Sequence, residues 1–131
     1  MKLLLDTHFL IWLATEPHRL NPAERALTGN PSISIQVSVV SLWEVRIKWE
    51  SLDRHGRRKG SIAPSDAIAF ANENALTLVP LTPDMTILPL EIEVANADPL
   101  DRMILTQVQA LGARLLTRDA KLRDHPLAFV P

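Results

Sequence analysis

The 131-residue sequence predicts an α/β fold, with helices flanking a mostly parallel central sheet of four to five strands. Three observations predict it. Short apolar runs alternate with helical patterns along the whole chain. Several helices open on an explicit start signal, a capping residue followed by proline, as at Asn21-Pro22 and Asp98-Pro99. Acids also stand where elements should switch, most visibly Asp6, Glu44, Asp101 and Asp119.

Met1–Asp6 is short, apolar and ends on an acid, so it reads as a buried strand. Thr7–Ala14 carries Phe9, Leu10, Trp12 and Leu13 and reads as a helix stopped near Pro17. Asn21-Pro22 opens a second helix, and Gly29-Asn30-Pro31 closes it. Ser32–Val39 places Ile33, Ile35, Val37 and Val39 at period two, a strand pattern. Ser41–Glu50 turns helical, and Leu42, Trp43, Val45, Ile47 and Trp49 suggest a helix buried on most sides. A basic loop follows. Pro64–Asn74 is a helix with Ala67, Ile68, Phe70 and Ala71 on its apolar side, and Leu76–Leu81 a third strand. Thr82-Pro83-Asp84 starts a short helix. Asp98–Leu111 is the best-marked helix, stopped by Gly112. Ala113–Thr117 is a fourth strand, and Leu127–Val130 can add a fifth.

A single domain over residues 1–131 is expected, long enough to bury a core. Hydrophobic residues make up 47% and the net charge is −1, which excludes disorder and a globally basic nucleic-acid binder. Any nucleic acid must therefore be gripped locally. The absence of cysteine removes disulfides, thiolate metal sites and cysteine nucleophiles, and fits a cytoplasmic setting. The first apolar run is broken by Asp6, so it is neither a signal peptide nor a membrane span.

Each acid has a structural reading beside a functional one. Asp6 can cap the helix that follows it, and Thr7 can add a cap hydroxyl or support the site. Glu44 can pair with Lys48 one turn on, but a Glu in so apolar a helix is better held by a cation. Asp98 is a good N-cap with Pro99 after it, and is assigned mainly to structure. Asp101 completes the capping box poorly because its side chain is short, and is assigned mainly to function. Asp119, after Thr117-Arg118, is alone only a turn residue. In open parallel sheets ligands bind beyond the carboxyl ends of the strands, where Asp6 and Asp119 fall. Clustered buried acids are costly unless paired or bound to a cation. With only oxygen donors, the fitting ion is Mg²⁺ or Mn²⁺ rather than zinc.

The segments Leu5-Asp6-Thr7-His8, Ser41-Leu42-Trp43-Glu44-Val45, Asp98-Pro99-Leu100-Asp101-Arg102-Met103-Ile104 and Leu116-Thr117-Arg118-Asp119 resemble those of PIN-domain ribonucleases. More narrowly they resemble VapC-type toxins of type II toxin–antitoxin systems. The resemblance spans nearly the whole chain, in order. It implies a metal-dependent endoribonuclease whose catalytic and metal-binding residues are Asp6, Glu44, Asp101 and Asp119, with Thr117 in the same site. One departure is visible: many relatives carry His where this chain has Asn96.

A water activated by the metal is the expected nucleophile, since no residue is an obvious general base. Arg54, Arg57, Arg58 and Lys59, with His55, form a local basic run that is either a solvated loop or a contact for RNA phosphates. Trp12, Trp43 and Trp49 read as core or interface rather than as platforms for bases. Expected partners are RNA, a second copy of the chain, and a VapB-like antitoxin that places a basic side chain among the acids. The alternative is a non-catalytic PIN-fold module binding RNA or protein, which would be expected to lose one of the acids. A phosphoacceptor receiver domain lacks its acidic pair and late lysine here. An aspartyl-nucleophile hydrolase would need a second Asp where His8 stands.

Overall fold

A computed structural model describes residues 1–95 and 98–131. Asn96, the one departure from the motif pattern, lies outside the described residues. The chain runs β1 (Lys2–Leu5), α1 (Thr7–Thr15), a 3-10 turn (Pro17–Arg19), α2 (Pro22–Thr28), β2 (Ser34–Ser38), α3 (Val39–Glu50), α4 (Pro64–Glu73), β3 (Thr77–Val79), α5 (Pro83–Ile87), α6 (Pro99–Leu111), β4 (Arg114–Leu116) and β5 (Ala128–Phe129). The strands form one sheet in the order β3-β2-β1-β4-β5. Every pairing is parallel, so the sheet is wholly parallel where a mostly parallel one was expected.

The order explains where a site can lie. The chain begins in the middle of the sheet, builds outward through β2 and β3, then returns to build the other side. Strands β1 and β4 are therefore neighbours whose connections leave in opposite directions. A parallel sheet opens a crevice at such a switch, beyond its carboxyl ends. Leu5 pairs with Leu116 there, and the Asp6 amide donates to the Leu116 carbonyl at 3.0 Å.

Alternation along β1 builds a core on each face. Leu3 and Leu5 join Ile35, Val37, Phe9, Leu10, Val45 and Ala67 on one side. Leu4 joins Val79, Ile104, Leu105, Val108 and Leu115 on the other. A wholly buried leucine contributes about 2 kcal/mol, so this central strand is a large share of the core. Among the described residues, no helix is long and apolar enough to cross a membrane.

Start signals behave as expected. Asn21 and Glu24 form a complete capping box on α2. Asp98 caps α6 by accepting from the Asp101 amide at 2.9 Å. Ser38 caps α3 by accepting from the Val40 amide at 2.9 Å, so this helix begins at Val39 instead of Ser41. The Ser38 hydroxyl also donates to Gln107 Oε1, tying the end of β2 to α6 inside the core.

Helix α3 is not buried on most sides. Val40, Ser41 and Val45 face inward, while Val39 (37% exposed), Trp43 (51%) and Ile47 (44%) form an outward stripe one turn apart. A count of apolar residues misses this, because two apolar stripes on opposite faces look like one buried helix. In α4, Ala67 and Ala71 are buried as expected, but Ile68 points outward, 39% exposed.

Candidate active site at the carboxyl edge of the sheet

Asp6 leaves β1 at the switch point and its carboxylate is used twice. Oδ1 accepts from the His8 amide at 3.4 Å, capping α1. Oδ2 accepts the Thr117 hydroxyl from the end of β4 at 2.6 Å. Capping takes only one oxygen of this carboxylate, and Thr117 holds the other. Thr117 Oγ also accepts from the Asp119 amide at 3.0 Å, which turns the chain so that Asp119 follows at the same edge. Asp119 Oδ1 in turn accepts from the Lys121 amide at 2.9 Å.

Glu44 arrives from α3. Its Oε1 lies 2.9 Å from the Thr7 hydroxyl, and Ser41 Oγ lies 3.0 Å from the same hydroxyl. A carboxylate only accepts, so Thr7 donates to Glu44 and receives from Ser41. Thr7 therefore fixes Glu44 rather than capping α1. The Glu44–Lys48 pair weighed from sequence gives way to another contact. Lys48 Nζ lies 3.3 Å from His8 Nε2. An ammonium only donates, so Nε2 accepts and the ring proton sits on Nδ1, the nitrogen 3.9 Å from Asp6 Oδ1.

Asp101 projects from the first turn of α6. Burial, then the charges of Asp98, Asp6, Glu44 and Asp119, push its carboxyl up to about 7. Burial chiefly, then Asp6 and Asp98, raises Glu44 as well, against the lowering hydrogen bond from Thr7. These mutual influences mean that five acids share one negative region, Asp98 included. Asp98, assigned mainly to structure, caps α6 and also adds its charge to this region.

The donors fit a hard divalent cation in kind. They are carboxylate oxygens from four elements, at a concentration of negative charge that a cation would relieve. Among the described residues, no three His, Asp or Glu side chains come close enough together to enclose an ion as placed.

Not all expected site residues meet here. Arg54, Arg57, Arg58 and Lys59 lie on a small turn beyond the end of α3, closed by an antiparallel bridge between Leu52 and Arg58. Asp53 Oδ1 braces it by accepting from the His55 and Arg57 amides. Arg58 is committed to the fold: its guanidinium covers Trp49, 4.4 Å from the ring centre, and donates to the Trp49 carbonyl at 2.7 Å. No hydrogen bond or ion pair among the described residues joins this turn to the acids.

Other neighbours carried no motif of their own. Arg118 lies between the two motif residues Thr117 and Asp119, yet its hydrogen bonds go to neither of the site acids beside it. It pairs with Glu24, 3% exposed, and donates to the Arg19 carbonyl at 2.8 Å. This pair depresses the Glu24 carboxyl through the Arg118 hydrogen bond. Trp12, expected in the core or an interface, packs edge-on against buried Phe9 and lines a recess beside Asp6 and Asp119. Only the coincidence of Asp6 with His8 and Trp12 on successive turns of one helix hinted at it.

Comparison with known proteins places the fold and the family. The family model described as PIN domain matches residues 3–126. Ribonuclease VapC22 of Mycobacterium tuberculosis is 28% identical over 123 residues, covering 93% of this chain and 90% of its own. The crystal structure of VapBC2 from Rickettsia felis, bound to a DNA fragment from their promoter, contains a chain with the same fold. It superposes with a TM-score of 0.63 at 17% identity, covering 100% of this chain and 98% of that one.

Proposed function

Since this chain belongs to the PIN-domain family, we propose that it is a metal-dependent endoribonuclease, the toxin of a VapC-type toxin–antitoxin pair. The observation that carries the reading is the coupling of Asp101 to Asp6, Glu44, Asp98 and Asp119 at the sheet's switch point. An acid cluster of this density is a poor stabiliser and a good cation seat. The likeness to a curated ribonuclease over nearly the full chain supports the same activity.

In this proposal Asp6, Glu44, Asp101 and Asp119 hold Mg²⁺ or Mn²⁺, which when bound supplies Lewis acidity toward the phosphodiester and acidifies water. The chain's own residues prepare the seat. Thr117 and Thr7 hold Asp6 and Glu44 with donated hydrogen bonds, which order both acids at the edge of the sheet. Asp98 keeps α6 capped by accepting from the Asp101 amide in the turn that carries the Asp101 carboxyl. The acids repel RNA phosphates until a cation is present, which makes cleavage cation-dependent. The partner that restrains the enzyme is an antitoxin of VapB type, presenting a guanidinium to the same carboxylates. A homodimer is part of the proposal.

The test is cleavage of single-stranded RNA by purified protein with millimolar Mg²⁺ or Mn²⁺. Cleavage is expected with either ion, loss in excess EDTA, and loss in Asp6→Asn and Asp101→Asn with circular dichroism unchanged. Undiminished cleavage in EDTA, or by both variants, overturns the reading.

A further inference from the structure

Beside the acids lies a recess of about 220 Å³ lined by Asp6, His8, Phe9, Trp12, Arg118 and Asp119. Its construction differs from that of the acid cluster. Phe9 is 1% exposed, while Trp12 stands half-buried at 5.4 Å and 61° to it. The His8 ring lies 5.9 Å from Trp12, inclined by 41°. The Arg118 guanidinium sits 4.9 Å from the Trp12 ring and 5.6 Å from Phe9. Glu24 and the Arg19 carbonyl hold that guanidinium from behind, so it is a fixed wall and not a free arm. Lys48 likewise steadies His8 through Nε2.

A recess with flat π walls, one cationic wall and two carboxylates at its rim suits a small planar ligand. The ligand needs apolar faces and N–H groups on its edge. A nucleobase has that chemistry. Base–aromatic stacking tolerates any base, and carboxylates accept from base amino and imino groups. The recess shares Asp6 and Asp119 with the acid cluster, so a ligand there is continuous with whatever lies among the acids.

We infer that this recess, walled by Trp12, His8 and Arg118, seats an unstacked nucleobase of the RNA strand, next to the phosphate that lies among the acids. The inference rests on the ribonuclease reading and deepens it. It assigns to Trp12 a stacking role, and to the Arg118–Glu24 pair the positioning of the cationic wall beside it. It also makes the substrate single-stranded at that nucleotide, since a paired base cannot enter.

The experiment uses a single-stranded RNA that the wild-type protein cleaves, and a series in which one nucleotide at a time is abasic. In the wild type, one position adjoining the cut is expected to slow cleavage about tenfold. Trp12→Leu is expected to slow cleavage of the intact RNA about tenfold and to lose the penalty at that position, while Trp12→Phe keeps both. His8→Ala, at an exposed position, is the second variant, with a smaller loss at the same nucleotide. The abasic series in wild type is decisive even where Trp12→Leu does not fold. If no RNA is cleaved, the ribonuclease reading itself fails. If RNA is cleaved but the abasic series is flat, or the penalty persists unchanged in folded Trp12→Leu, only the base seat is overturned. Tryptophan emission gives an independent readout. Quenching by an arginine-bearing peptide and not by RNA, of the emission that Trp12→Phe removes, would make the recess a peptide site and overturn the inference.

Discussion

Asp101 illustrates how a single residue trades stability for chemistry. Its carboxyl titrates near 7 in the fold and near its ordinary value in the unfolded chain. Between those limits the folded state holds the extra proton, so raising pH costs stability across that window. Asp101→Asn removes the cost. In cation-free buffer the variant's advantage in melting temperature should grow from pH 4 to pH 7 and level off above. The gain is about 1 kcal/mol, kept small because the side chain is only partly shielded from water. Thermal melts of both proteins across that range check it, and a constant difference would mean that neither burial nor the neighbouring acids raise the Asp101 carboxyl. The acids drew attention in the sequence because several of them inside or at the ends of apolar elements are costly unless paired or bound to a cation. Their supports did not. That Thr117 would serve Asp6 depends on residues 111 apart in sequence meeting at the ends of β4 and β1, and that Thr7 would serve Glu44 depends on α1 meeting α3, 37 residues on. The Lys48 contact with His8 likewise follows from how α1 and α3 cross, which no local pattern encodes.

At the scale of elements, the caps were readable and the directions were not. Asn21-Pro22 and Asp98-Pro99 name helix starts because proline fits where the amide is unused, and the structure places α2 and α6 there. The outward stripe of α3 was invisible because apolarity says nothing about which neighbours exist. Two glycines show the difference between a local and a tertiary demand. Gly112 ends α6 at φ 63°, with open space where a Cβ would go. Gly112→Ala should cost about 1 kcal/mol, from backbone strain alone. Gly60 has an ordinary backbone, but a Cβ there would meet the Trp49 nitrogen at 2.8 Å and the Lys48 carbonyl carbon at 2.9 Å. Those are backbone atoms that cannot swing aside. Gly60→Ala should therefore cost more, about 2 kcal/mol, and loosen the basic turn from α3. Urea denaturation of the two variants gives the comparison; a Gly112→Ala loss exceeding the Gly60→Ala loss would contradict it.

For the whole molecule, the decisive fact is that the first strand is the central one. Strand β1 gains its second partner only from β4, whose register sets Leu3 against Arg114 and Leu5 against Leu116. Without β4, one edge of β1 is open and Leu4 loses Leu115 from its core. A chain ending at Leu111 should thus lack a cooperative melt and fail to protect the amides of residues 3–5 from hydrogen exchange. Protection equal to that of the full chain would show that β1 and β2 are stable alone.

The same arrangement sets a timetable. Residues 116–119 are made more than a hundred positions after Asp6, yet they supply both the hydroxyl that holds Asp6 and the acid that completes the cluster. During synthesis, Asp6 leaves the ribosome long before its partners exist. On the proposed function, a half-made chain carries no assembled cutting edge. On the same proposal, the site assembles only after Thr117 and Asp119 are made, when an inhibitor made alongside can already be waiting.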